Sequence, residues 1–235
     1  MTDEPLTATP PELVIFDCDG VLVDSEPLTT RAMQRGLARY GLRLALDEIQ
    51  EHFHGVSNNQ IRDTVLAHWG VQLPDDIVDL IEEVERLAVE DGLQAIPGVA
   101  DAVRSVVSAG MAVCVGSNGS PRAIEQRLKL TGLYPWFEGR LFSAAVMARG
   151  KPHPDVFLHA AQTMGFASSE CVVIEDSDTG VQAGLAAGMA VLAYVASPTS
   201  DIADAREVVR FTDMASLPAL LGLNGAQAQG DRGDT

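Results

Sequence analysis

Leu13-Val14-Ile15-Phe16-Asp17-Cys18-Asp19-Gly20-Val21-Leu22-Val23-Asp24 begins with four apolar residues, then places two acids at alternate positions followed by a glycine. A short apolar run bounded by turn residues predicts a strand buried on both faces of a parallel sheet. In open α/β sheets the carboxyl ends of the strands line the ligand crevice. Two carboxylates at such an end repel each other unless a cation or a shared proton compensates. A turn or a helix cap needs one aspartate. Two aspartates and a glycine directly after a buried strand are a far more specific signal.

Working outward, further apolar runs predict strands at Met111–Val115, Arg140–Phe142, Cys171–Ile174 and Ala190–Val195. Helical spacing fills the gaps between them. Val99, Val103, Val106 and Val107 share a face between Pro97-Gly98 and Gly110, Pro121–Leu130 ends at Gly132, and Pro154–Met164 ends at Gly165. Strand–helix alternation of this kind predicts a doubly wound parallel α/β sheet. Residues 25–95 break the rhythm. They offer no strand but four helices, at Pro27–Tyr40, Asp47–Phe53, Ser57–Trp69 and Asp75–Glu90, with Ser57 available as a cap. The expected organisation is an α/β core of residues 12–24 and 96–222, an all-helical insert at 25–95 and a disordered tail at 223–235.

Three further segments fall at predicted strand ends. Gly116-Ser117-Asn118-Gly119-Ser120-Pro121 joins a hydroxyl and backbone N–H groups to a helix N-terminus, which suits an anion. An ordinary capped turn would read the same way. Gly150-Lys151-Pro152-His153-Pro154 holds a lysine between glycine and prolines, where its ammonium can offset carboxylates or phosphate. Glu175-Asp176-Ser177-Asp178-Thr179-Gly180 brings acids to the end of another strand, where they can complete an oxygen-only Mg²⁺ site with Asp17 or simply cap a helix. Independent turns would not be expected to supply a nucleophile, an anion cradle, a cation and a metal site on one rim.

Composition bounds the partners. The 235 residues carry Asp+Glu 33 against Lys+Arg 16, a net charge of −17, which argues against nucleic acid and anionic membranes. Apolar residues at 46% suit a folded globular chain. Cys18, Cys114 and Cys171 sit in apolar runs without metal-ligand spacing, as free thiols in a reducing cytoplasm do. No secretory leader or membrane span is evident, so a cytoplasmic protein, monomeric or weakly dimeric, is expected.

The order Asp pair, Ser, Lys, acid pair, with DxDGVLVDSE at Asp17–Glu26, resembles the haloacid dehalogenase superfamily in its phosphatase and β-phosphoglucomutase-like branch. The resemblance spans roughly residues 12–222. It implies that Asp17 is the nucleophile, Asp19 the acid and base, and Lys151 the neutralising cation. It implies Ser117 and Asn118 as phosphate binders. It implies a Mg²⁺ cofactor on Asp17, Asp19, Glu175 and Asp176. The helical insert would be a cap whose Ser57, Asn58 and Asn59 recognise the leaving group. A dehalogenase needs neither Asp19 nor Mg²⁺. The mutase branch carries a histidine where this chain has Thr29 and an arginine where it has Asn58. Hydrolysis of a small phosphate ester, in texture closest to 6-phosphogluconate phosphatases, is therefore expected. The alternatives are a phosphosugar mutase and a non-enzymatic phospho-acceptor resembling signalling receivers.

Overall fold

The structure, a computed structural model, describes residues 10–53, 58–74, 86–88, 90–195 and 208–223. Residue contacts divide the chain into one unit of residues 1–23 and 95–235 and a second of residues 24–94.

The first unit is built on a six-stranded sheet. In chain order the strands are β1 (Leu13–Phe16), β2 (Ala112–Ser117), β3 (Leu141–Ser143), β4 (Cys171–Glu175), β5 (Ala190–Tyr194) and β6 (Val208–Phe211). Their spatial order is β3-β2-β1-β4-β5-β6, and every pairing is parallel. β1 lies between β2 and β4, with Phe16 level with Val115 and Ile174. That register sends Asp17, Ser117 and Glu175 out at the same end of the sheet. All four residues of β1 and all five of β4 are buried, as the apolar runs Leu13–Phe16 and Cys171–Ile174 require, and Glu175 is buried with them.

Close packing sets where helices can approach. Gly116 in β2 lies under Phe157, whose ring would be 3.0 Å from a Cβ at that position. Phe16 meets Phe137 edge-on, with ring centroids 5.8 Å apart. These contacts seat α6 (Tyr134–Phe137) and α7 (Asp155–Met164) against the sheet; the other helices of this unit include α4 (Val99–Ser108), α5 (Pro121–Leu130) and α8 (Asp178–Ala186).

The structure differs from the sequence reading in several places. It adds the edge strand β6, in which only Phe211 is buried, so no continuous apolar run advertises it. β3 begins one residue later than predicted, at Leu141. The four-residue α6, YPWF, is too short to leave a periodic signature. Most of the predicted helix at 75–90 lies outside the described residues, as do Ser57 and the 224–235 tail.

The second unit is helical where it is described. It contains α1 (Glu26–Arg39), α2 (Leu46–Phe53) and α3 (Asn58–Trp69). Met33 and Leu37 of α1, Ile49 and Phe53 of α2, and Ile61 and Val65 of α3 form its apolar centre. Trp69 stacks on Phe53 at 5.8 Å, a packing role. Asp24 N donates to Gln94 O at 2.9 Å, which ties the unit's two ends together. No helix among the described residues is long and apolar enough to cross a membrane.

Candidate active site

The turn after β1 closes on itself. Leu22 N and Val23 N both donate to Cys18 O, and Gly20 N donates to Val23 O. Gly20 adopts φ 78°, a left-handed conformation that favours glycine. A Cβ there would also lie 1.8 Å from Asp176 Oδ2. The glycine thus serves two needs, the tight turn and the space for an acid arriving from β4.

Asp17, at the base of this turn, is buried. Lys151 Nζ donates to Asp17 Oδ1 at 2.5 Å and to Glu175 Oε1 at 2.6 Å. The lysine side chain is 3% exposed, so this ammonium is withdrawn from water with its partners. Its Nζ also lies 4.8 Å from the centre of the Phe157 ring. Burial alone would discharge the lysine, but the two carboxylates override it and hold the ammonium above its ordinary value. Burial pushes the Asp17 carboxyl up to about 7. Lys151 opposes that rise, and Glu175 and Asp19 add to it. The Asp176 carboxyl is likewise raised, first by desolvation and then by Glu175 and Asp17.

Asp17, Glu175 and Asp176 each offer a carboxylate oxygen within 4.8 Å of the others. Three carboxylates crowd around an ammonium that contacts two of them, and two of the three are pushed toward protonation, first by burial and then by neighbouring carboxylates. An oxygen-only set of this kind fits a hard divalent cation.

Glu175 has a second engagement. Its Oε2 accepts from Asp176 N, Ser177 N and Ser177 Oγ at 2.9, 3.0 and 2.9 Å. Ser177 Oγ in turn accepts from Gly180 N at 3.1 Å and caps α8. The segment thus caps a helix and offers a carboxylate to Lys151 in one network. A Cβ on Gly180 would lie 1.8 Å from the Glu175 carboxyl carbon, so the glycine keeps room for that carboxylate.

The loop after β2 lies on the same rim. Ser117 is 2% exposed, and its Oγ accepts from Gly119 N at 3.1 Å. Asn118 Oδ1 accepts from Lys151 N at 3.1 Å, linking this loop to the lysine loop. Ser143 Oγ, from the end of β3, donates to Gly119 O at 2.5 Å. Ser120 caps α5 through Ala123 N. Of the residues predicted for leaving-group recognition, Asn58 is described as the first residue of α3, and Ser57 lies outside the described residues.

The model of haloacid dehalogenase-like hydrolases matches residues 11–188. The chain belongs to that family. A 6-phosphogluconate phosphatase of Escherichia coli is 34% identical over 210 residues, covering 89% of this chain and 94% of that protein. Hexitol phosphatase A of the same organism is 37% identical over 183 residues, covering 76% of this chain and 81% of that protein. Among solved structures, a hydrolase of the family from Deinococcus radiodurans, determined with bound phosphate and sodium, is similar at TM-score 0.72. It is 33% identical, covering 91% of this chain and 96% of that one.

Within this haloacid dehalogenase-like fold, several site neighbours had no individual signal in the sequence. Arg127 Nη1 lies 2.5 Å from both Asp19 oxygens, although 108 positions separate the two residues. Ser143 and Gly180 read as ordinary loop and helix residues until their partners are seen.

Proposed function

We propose that this enzyme, a phosphoric monoester hydrolase, removes phosphate from a small sugar phosphate or sugar-acid phosphate, such as 6-phosphogluconate, with Mg²⁺ as cofactor. The observation that carries the reading is the buried Asp17–Lys151–Glu175 array beside Asp176, at the carboxyl ends of β1 and β4.

An Asp17 oxygen attacks phosphorus as the bond to the leaving oxygen breaks, and Asp19 gives that oxygen its proton. Water then attacks the phosphorus of the aspartyl phosphate. Asp19 takes the water's proton, inorganic phosphate departs, and the Asp17 carboxylate is restored. Lys151 offsets the repulsion between the Asp17 carboxylate and the incoming phosphate. The Ser117 hydroxyl, the Asn118 amide and the N–H groups leading into α5 hold the phosphoryl oxygens. Asp17, Glu175, Asp176 and the Asp19 carbonyl would hold the Mg²⁺. When bound, the ion supplies the positive charge that lets two anions approach.

Hydrolysis is favoured over phosphoryl return to a second hydroxyl. The Thr29 Oγ1 donates to Ser25 O at 3.1 Å, a bond within its own helix, and a threonine is no proton shuttle. We assign substrate choice within the class to Ser57 and Asn58 of the helical unit. Three free, buried thiols suit a reducing cytoplasm. The test is a panel of phosphorylated metabolites. Sustained phosphate release from sugar phosphates, stopped by EDTA and restored by Mg²⁺, is expected. One phosphoryl per chain without turnover would sink the reading in favour of an acceptor module, and an isomerised sugar phosphate would indicate a mutase.

A further inference from the structure

Arg127 is unlike the other charged residues of α5. Lys129 and Glu125 pair with each other on the exposed side of that helix. Arg127 instead lies one helical turn beyond Ala123 and Ile124, which are both buried, and its side chain is only 12% exposed. There it presents Nη1 at 2.5 Å to both oxygens of Asp19, whose side chain is 35% exposed. Asp19 hangs from a turn whose backbone is closed by hydrogen bonds, but its own χ angles have no such restraint. A half-exposed carboxylate left to itself samples several rotamers. A guanidinium on both oxygens selects one of them. The same helix is capped by Ser120 and begins at Pro121, directly after the Ser117 loop, so one element runs from that loop to the Asp19 anchor.

We propose that Arg127 is a positioning residue that fixes the Asp19 carboxylate to receive the water proton in the dephosphorylation half-reaction. This rests on the reading of Asp19 as the base. A carboxylate held by an arginine has its orientation already settled. Misplacing such a group by about 1 Å can cost roughly 100-fold in rate.

Rapid-quench kinetics with dinitrophenyl phosphate separate the two half-reactions, because that leaving group needs no proton. In Arg127→Met, which keeps an apolar stem, the burst forming the phosphoenzyme should stay within about 2-fold of the parent rate. Steady-state turnover should fall roughly 10–100-fold, with phosphoenzyme accumulating toward one per chain. Arg127→Lys should recover part of the loss. An equal fall in burst and turnover in both variants, or no fall in either, overturns the proposal. Asp19→Asn run alongside separates the two failures. If Asp19→Asn loses turnover while Arg127→Met does not, the role of Arg127 is wrong and the reading of Asp19 stands. If Asp19→Asn turns over normally, that reading is wrong.

Discussion

The two units of the chain hold their residues in place by different means. In the α/β unit Asp17 and Glu175 sit at the ends of buried strands and share the Lys151 ammonium, and Glu175 also receives two backbone amides and a hydroxyl. In the helical unit the described centre is an apolar cluster of side chains from α1, α2 and α3, and its Arg31–Asp91 ion pair is largely exposed. Polar networks with one satisfied arrangement specify positions to fractions of an ångström, whereas apolar clusters tolerate exchange of residues if volume is kept. The difference teaches where variation is affordable. Exchange of residues is costly on the first kind of scaffold and tolerated on the second.

The largest effect that would test this contrast is at Asp17. Asp17→Asn should lower turnover by about 1,000-fold or more, with an unchanged circular dichroism spectrum. Near-normal turnover would remove the α/β rim from the chemistry altogether. Next is Ile61→Ala, at a side chain 1% exposed in the centre of the helical unit. It should cost about 2–5 kcal/mol of that unit's stability. Amide exchange should accelerate through residues 24–94 while β1, β2 and β4 stay protected. Equal acceleration everywhere would mean the two units unfold as one.

A subtler break is Gly180→Ala. In a helix this change ordinarily stabilises by up to about 1 kcal/mol. Here the added methyl must displace a carboxylate held by four hydrogen bonds. The melting temperature should hold or fall slightly, while kcat/KM drops roughly 10–100-fold, the loss expected where a residue supporting the proposed Mg²⁺ ligand Glu175 is disturbed.

The mildest test leaves activity alone. All three cysteines lie in the α/β unit, and burial pushes the Cys171 thiol from 9.0 up to about 11. Only the thiolate reacts, so at pH 8 alkylation of Cys171 in the folded protein should be about 100-fold slower than in the unfolded chain. The raised value also has a sign. The unfolded chain loses this proton near pH 9 and the folded one near 11, so this thiol lowers stability as pH rises through that window. Because the helical unit has no cysteine, Ile61→Ala should not speed the labelling.

Much of the α/β fold was legible because parallel strands buried on both faces must be continuously apolar, as β1 and β4 are. β6 escaped because an edge strand with one buried residue carries no such constraint. Within the site, Asp17, Asp19, Lys151, Glu175 and Asp176 could be picked out as candidates, since acids clustered at strand ends and a lysine between glycine and prolines are costly unless used. Their supporting residues could not. Gly180, Ser143 and Arg127 are commonplace in sequence, and only their distances to Glu175, Gly119 and Asp19 set them apart.

What the amino-acid order determined by itself is which segments become strands and which reactive groups stand at their ends, because hydrophobic period and turn chemistry are local properties. Which of those ends meet, which cation faces which acid, and how the Glu175 oxygens are shared were decided only by tertiary structure. The Asp17–Lys151 pairing alone joins residues 134 positions apart, and the strength of such pairings comes from leaving water together, which no local stretch of chain can accomplish.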